Sequence, residues 1–186
     1  VNYGQQGIII PLNDLIEKYG YYTKQVFEQQ EQLPAAVTAP DGNIYSLPRI
    51  NECYHCMYSG KAWINQDWLD KLGLKYPETT DELVEVLRAF KTQDPNGNGK
   101  QDEVGIIGST DGWNANPIDF LMNSFVYNDY GKRLGVKDGK IYFSPLTDEW
   151  REGLKFVNEL MEEGLIEATS LTQPMQEMTA LANSED

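Results

Sequence analysis

Ten consecutive residues, Asp94-Pro95-Asn96-Gly97-Asn98-Gly99-Lys100-Gln101-Asp102-Glu103, have the types and spacing to hold a hard cation. Oxygen-bearing side chains stand at loop positions 1, 3, 5 and 9, and a glycine stands at position 6. Such a loop wraps oxygens around calcium at about 2.3–2.6 Å, with a backbone carbonyl contributed from position 7. Lys100 fills position 7, where its carbonyl serves and its ammonium points away. Gly99 supplies the sharp turn at low steric cost. An EF-hand loop carries a bidentate glutamate at position 12. Here that place is Gly105, and Glu103 at position 10 is the nearest substitute. The competing reading is a solvated Asn/Gly/Asp turn that binds nothing. So many donors in register favour calcium.

The elements around the loop say what a cation would do there. Thr79-Thr80-Asp81-Glu82 fits a capping box, with Thr79 as N-cap and Glu82 three residues on. Leu83, Val84, Val86, Leu87 and Phe90 then form an apolar stripe at helical spacing. Val104-Gly105-Ile106-Ile107, after the loop, reads as a strand. The ion would pin a helix-to-strand connection, a structural role rather than a sensor's.

The 186 residues carry a net charge of −14, which argues against nucleic acid or an anionic membrane surface as partner. No apolar run approaches the ~20 residues of a membrane span. The opening Val1-Asn2-Tyr3-Gly4 lacks the basic start and apolar stretch of a signal peptide. The start is therefore read as processed, or the chain as a piece of a longer one, with the piece favoured. Cys53 and Cys56 flank Tyr54 and His55, the one histidine in the chain, so a zinc finger lacks ligands. Two structural or free thiols are the favoured reading, ahead of a local disulfide and then of redox chemistry.

Along the chain, residues 11–20 read as a short helix closed by Gly20, and Tyr22 to Gln32 as a second, polar one. Asp41-Gly42 is a turn signal before a strand over Asn43–Leu47 that stops at Pro48. Cys53 to Ile64 looks extended, and Asn65 to Gly73 is another short helix with a glycine stop. Leu134–Lys137 and Lys140–Phe143 form a hairpin across Asp138-Gly139. Thr147 to Glu163 is the longest helix, with Trp150, Leu154, Val157, Leu160 and Met161 on one face. Gln173 to Asn183 is the last. Alternating strands and helices point to α/β or α+β layers.

Several phrases occur in one order: Ile8 to Ile16, Asp41-Gly42-Asn43-Ile44-Tyr45-Ser46-Leu47-Pro48, Trp63 to Gly73, Pro77 to Leu83, the metal loop, and Leu160-Met161-Glu162-Glu163-Gly164-Leu165-Ile166. In that combination the chain resembles the extracellular solute-binding proteins of bacterial ABC importers, of the large sugar-binding type. It is most similar to Gram-positive lipoproteins of that family and to the alginate-oligosaccharide binders. The resemblance implies an α/β, periplasmic-binding-protein-like (type II) fold of two lobes, only partly covered by this chain. Residues 1–52 would belong to the first lobe and 53–186 to the second, with the crossing near 53–59. It further implies calcium held by the side chains of Asp94, Asn96, Asn98, Asp102 and Glu103 and the carbonyl of Lys100. The implied partners are a small solute, a carbohydrate or oligosaccharide in class, and an ABC permease. The implied location is the outer face of the cell membrane, or the periplasm, reached through a lipid anchor outside this chain.

A carbohydrate cleft needs aromatic faces for sugar rings and planar polar groups for hydroxyls. Asp111-Gly112-Trp113-Asn114-Ala115-Asn116-Pro117 is the best single cluster, since a tryptophan among Gly, Asn and Pro has no amphipathic element to bury it. A tryptophan capping the core from a loop is the equal competitor. Trp113, Asn51, Glu52, Asn114, Tyr54 and Tyr58 are the expected ligand-binding residues, with Arg49, Asn116 and Tyr127 as further candidates. Trp63, Trp68 and Trp150 are assigned to packing. No GxSxG, HExxH or phosphate loop is present, so the chain is read as no enzyme. A glycoside-acting enzyme fragment, with Glu52 and Asp111 as its carboxylates, and a calcium-stabilised surface interaction domain are the alternatives.

Overall fold

The structure is a computed structural model that describes residues 2–51, 53–54, 60–111 and 115–184. It divides into two compact units, Val1–Tyr54 and His55–Asp186. Among the described residues of the first unit, short helices run α1 (Asn2–Gln5), α2 (Asn13–Tyr19), α3 (Tyr21–Gln29) and α4 (Leu33–Val37). Asn13 ties them to the following turn: its Oδ1 accepts from the Ile44 amide at 2.9 Å and its Nδ2 donates to the Gly42 carbonyl at 3.2 Å. The expected strand over residues 43–47 reduces to an isolated antiparallel bridge, Thr38 to Ile44. Asp41 explains why pairing stops: its carboxylate accepts from the Asn43 amide and the Tyr45 hydroxyl, curling the chain into a side-chain-closed turn.

The second unit holds α5 (Gln66–Leu72), α6 (Thr80–Thr92), α7 (Pro117–Met122), β1 (Leu134–Lys137), β2 (Lys140–Phe143), α8 (Asp148–Glu162) and α9 (Met175–Ala182). Single 3-10 turns cover Ser144–Leu146 and Ala168–Leu171. The capping box at α6 forms as expected. Thr79 Oγ1 accepts from the Glu82 amide, and Glu82 Oε2 accepts from the amides of Glu78 and Thr79. The Glu78 amide is the main cause that holds the Glu82 carboxyl below its ordinary range. Helix α5 is bounded by the Asn65 cap and by Gly73 at φ 65°, a left-handed position suited to glycine.

Helix α6 is apolar on two sides. Leu87 joins Leu121, Met122, Trp150, Val157, Leu160, Leu165 and Ile166 in the larger core. Val86 and Phe90 pack with Leu69 in a smaller one, where the Trp68 ring meets Phe90 edge-on at 5.2 Å. Fully burying each such side chain contributes about 1.5–3 kcal/mol. The α6–α8 contact is fastened at its rim. Arg88 grips Glu163 with two bonds of 2.6 and 2.7 Å, and Lys91 Nζ donates to the carbonyls of Glu163 and Gly164 at the end of α8.

Three expectations about packing are corrected. Trp63 is 93% exposed, because it lies in an irregular stretch ahead of α5 and not on the helix that buries Trp68. Leu154 on α8 is exposed, while Gly153 beside it is buried against Met122 and Phe125. Cys53 is disulfide-bonded, and among the described residues no cysteine is free, so the thiol reading gives way to the disulfide one. Trp68 and Trp150 do pack, the latter also beneath the Arg133 guanidinium at 5.1 Å.

β1 and β2 pair antiparallel, with Leu134 opposite Phe143 and Val136 opposite Ile141. Asp138 and Gly139 both take positive φ, as a two-residue hairpin turn of this hand requires. All four of those apolar side chains are exposed. The expected strand over 104–107 is present only as a parallel bridge between Ile106 and Ile166, held by Ile106 N to Leu165 O and Glu167 N to Ile106 O, both at 2.8 Å.

Candidate functional site

Residues 94–103 follow α6 directly, and their backbone is shaped by their own side chains. Asp94 takes φ 47°, and Gly97 and Gly99 take 79° and 82°. The Asp94 carboxylate accepts three amides: Gly97 at 2.9 Å, Asn98 at 3.0 Å and Gly99 at 2.9 Å. Asn96 Oδ1 accepts from the Asn98 amide and Asn98 Oδ1 from the Lys100 amide, each at 2.8 Å. Successive side-chain turns therefore tie the oxygens of positions 1, 3 and 5 to the backbone of one short loop. Two outside ties hold it in place, Lys71 Nζ to the Pro95 carbonyl and Gln101 Nε2 to the Thr92 carbonyl.

Glu103 is the group that the loop leaves unsatisfied. It is only 8% exposed; its Oε1 accepts from the Asn96 amide at 3.3 Å, and its Oε2 has no hydrogen-bond partner. The neighbouring Asn96 Nδ2 is also buried and unpaired. A buried carboxylate oxygen without a donor is costly, and a cation is the partner that its chemistry invites. By this test the donor set fits a hard metal ion. The carboxylates are not, however, gathered into a finished cage. Among the described residues no three His, Cys, Asp or Glu side chains converge on a common point. Asp102 instead accepts from Asn98 Nδ2 at 3.1 and 3.4 Å, and mutual repulsion disfavours a closer approach of three like charges.

Of the expected ligand-binding residues, Asn51 and Tyr54 belong to the first unit, where both are exposed. Glu52, Tyr58, Trp113 and Asn114 lie outside the described residues. Arg49 and Tyr127 are exposed in separate units. Asn116 acts locally, since its Oδ1 accepts from the Ile118 amide and caps α7.

The stretches flanking residues 112–114 are closely held, although their residue types give no sign of it. Ser109 N donates to the Ala115 carbonyl at 3.0 Å, closing the loop at its base. Gly108 N donates to Ser170 Oγ at 3.0 Å, and Gln173 Nε2 donates to the Gly108 carbonyl at 2.7 Å. Thr110 N donates to the Gln173 carbonyl, and Asp111 Oδ1 accepts from the Met175 amide at the start of α9. Ser170 and Gln173 carry no sequence signal for this, since nothing in a polar residue's type marks a partner more than sixty residues away.

The family model for bacterial extracellular solute-binding proteins matches residues 1–185. The chain belongs to that family. Both the family and the relative FusA are described as binding proteins, not enzymes. The fructooligosaccharide ABC transporter substrate-binding protein FusA of Streptococcus pneumoniae serotype 4 is 42% identical over 174 residues, which cover 90% of this chain and 32% of FusA. Lipoprotein LipO of Bacillus subtilis is 37% identical over 131 residues, covering 68% of this chain and 24% of LipO. The chain thus spans about a third or less of these relatives' lengths. Among solved structures, FusA in complex with kestose superposes with a TM-score of 0.72 at 38% identity, over 95% of this chain and 37% of that one. The alginate-binding protein AlgQ2, solved without calcium ion, gives 0.70 at 29% identity. The fold is accordingly the two-lobed type II binding-protein fold, of which this chain covers a part.

Proposed function

We propose that the chain is part of the solute-binding component of a bacterial ABC importer that captures an oligosaccharide and hands it to a membrane permease. The observation that carries this reading is the 42% identity to a fructooligosaccharide-binding relative across nine-tenths of the chain. Residues 1–52 are assigned to the first lobe and 53–186 to the second. Trp113, Asn51, Glu52, Asn114, Tyr54 and Tyr58 are assigned to the ligand, the aromatic rings stacking on sugar and the polar groups meeting hydroxyls. Attachment to the outer face of the membrane by a lipid outside this chain is supported by the similarity to a lipoprotein.

Calcium is proposed as a structural ion at 94–103, held by the side chains of Asp94, Asn96, Asn98, Asp102 and Glu103 and the carbonyl of Lys100. The unsatisfied Glu103 oxygen supports it, as do relatives solved as an EF-hand mutant and without calcium. Bound there, the ion would fix the end of α6 to the stretch that begins at Val104.

Calorimetric titration of the complete protein with kestose, longer fructooligosaccharides, other oligosaccharides and peptides tests the proposal. Saturable oligosaccharide binding that Trp113→Ala weakens at least tenfold is expected. Binding of peptides alone, or hydrolysis of the sugar, would overturn it.

A further inference from the structure

We infer that Gln173, assisted by Ser170, is a positioning residue for the two stretches that flank residues 112–114, Gly108 to Asp111 and Ala115 to Pro117. Gln173 is only 6% exposed, and it meets the leading stretch twice. Its Nε2 donates to the Gly108 carbonyl at 2.7 Å, and its own carbonyl accepts from the Thr110 amide at 3.1 Å and from Thr110 Oγ1 at 3.3 Å. Thr169 Oγ1 donates to Gln173 Oε1 at 3.1 Å, which fixes which end of the amide faces Gly108. Ser170, fully buried, accepts from the Gly108 amide. Both backbone groups of Gly108 are therefore held by side chains 62 and 65 residues away.

Gly108 transmits that hold to the trailing side. A Cβ at this position would lie 2.5 Å from the Ala115 carbonyl and 2.5 Å from Pro117 Cδ. Ser109 N to Ala115 O then closes the base, and Asn116 passes the constraint to α7 as its cap. The two side chains stand where a neighbouring strand would hydrogen-bond, extending the line of the Ile106–Ile166 bridge beyond the point where backbone pairing ends. The functional consequence rests on the proposed ligand role of Trp113; the positioning itself does not.

Gln173→Glu separates positioning from bulk. It keeps the shape and the Thr169 contact, and at neutral pH it loses the donor to Gly108. Where the buried charge unfolds the chain, Gln173→Met of similar length carries the same test. Amide exchange at Ser109 and Thr110 should accelerate roughly tenfold or more, while amides of α6 keep wild-type rates. In the complete protein, affinity for kestose should fall about tenfold, and that loss should vanish in a Trp113→Ala background. Unchanged exchange at Ser109 and Thr110 overturns the inference. Accelerated exchange with unchanged kestose affinity supports the positioning and overturns the ligand role of the loop.

Discussion

Glu103 separates two contributions that a calcium loop usually merges. Its buried, donorless Oε2 opposes folding when no ion is present and becomes a ligand when one is. Glu103→Gln should therefore leave the melting temperature in chelator unchanged or higher, and should abolish the rise that calcium gives the wild type. A site held at a hundred times its Kd supplies about 2.7 kcal/mol by mass action. An undiminished calcium response in this variant would remove Glu103 from the site. Asp94 behaves differently, because its carboxylate already serves three amides. Asp94→Ala should cost about 1–3 kcal/mol even in chelator, through stranded amides and an alanine forced to positive φ. Asp94→Asn, which tolerates that φ, should recover part of this stability without recovering calcium binding. Differential scanning calorimetry with and without calcium reads both. Glu163 gives the pH handle. Arg88 holds its carboxyl below the ordinary value of 4.5, so the pair's contribution is fully present above that value and is lost as pH falls through the lowered one. Glu163→Gln should flatten the dependence of melting temperature on pH across this acid limb and leave it unchanged near neutrality.

At the level of elements, the helices are readable because their signals are local. Thr79 and Glu82, Asn65 and Gly73, and Thr147 ahead of α8 each set an end through bonds within four residues. The hairpin is readable for the same reason, since Asp138-Gly139 fixes the register of the four residues on each side. The sequence overstates strands at 43–47 and 104–107, because a short apolar run does not reveal whether a partner strand exists. In both places a single bridge stands where a ladder is expected. Leu154 misleads for a related reason: helical spacing marks a stripe, but Gly153 is what Met122 packs against. Gly105 shows how close the surviving bridge is. A Cβ there would run into the Leu165 carbonyl, a backbone group that cannot step aside. Gly105→Ala should destabilise the second unit by roughly 1–3 kcal/mol, with the larger core loosened and α5 little affected. A denaturant titration followed by Trp150 fluorescence measures it, and a loss below a few tenths would contradict the packing.

Across the whole chain, the candidate site divides in legibility. The loop at 94–103 is a contiguous run whose donors can be counted, whereas a residue that acts on a loop from 65 positions away, as Gln173 does on Gly108, leaves no trace in the sequence beside it. That separation also sets the order in which the second unit assembles. Helix α6 and the hairpin close within a few residues, but the pairing of Gly108 with Gln173 spans 65 residues and must overcome about 4 kcal/mol of loop-closure entropy before it gains anything. Long-range closure of this kind comes late in folding. Substitutions at Leu165 and Ile166 should accordingly speed unfolding while hardly changing the refolding rate, and substitutions in the Asp138-Gly139 turn should slow refolding, both read by stopped-flow fluorescence. The strand-like join that steadies the stretches beside residues 112–114 is then, with the still longer-range Arg88–Glu163 contact of α6, among the last parts of the unit to form, and a nascent chain passes through an interval in which its helices are made and that join is not.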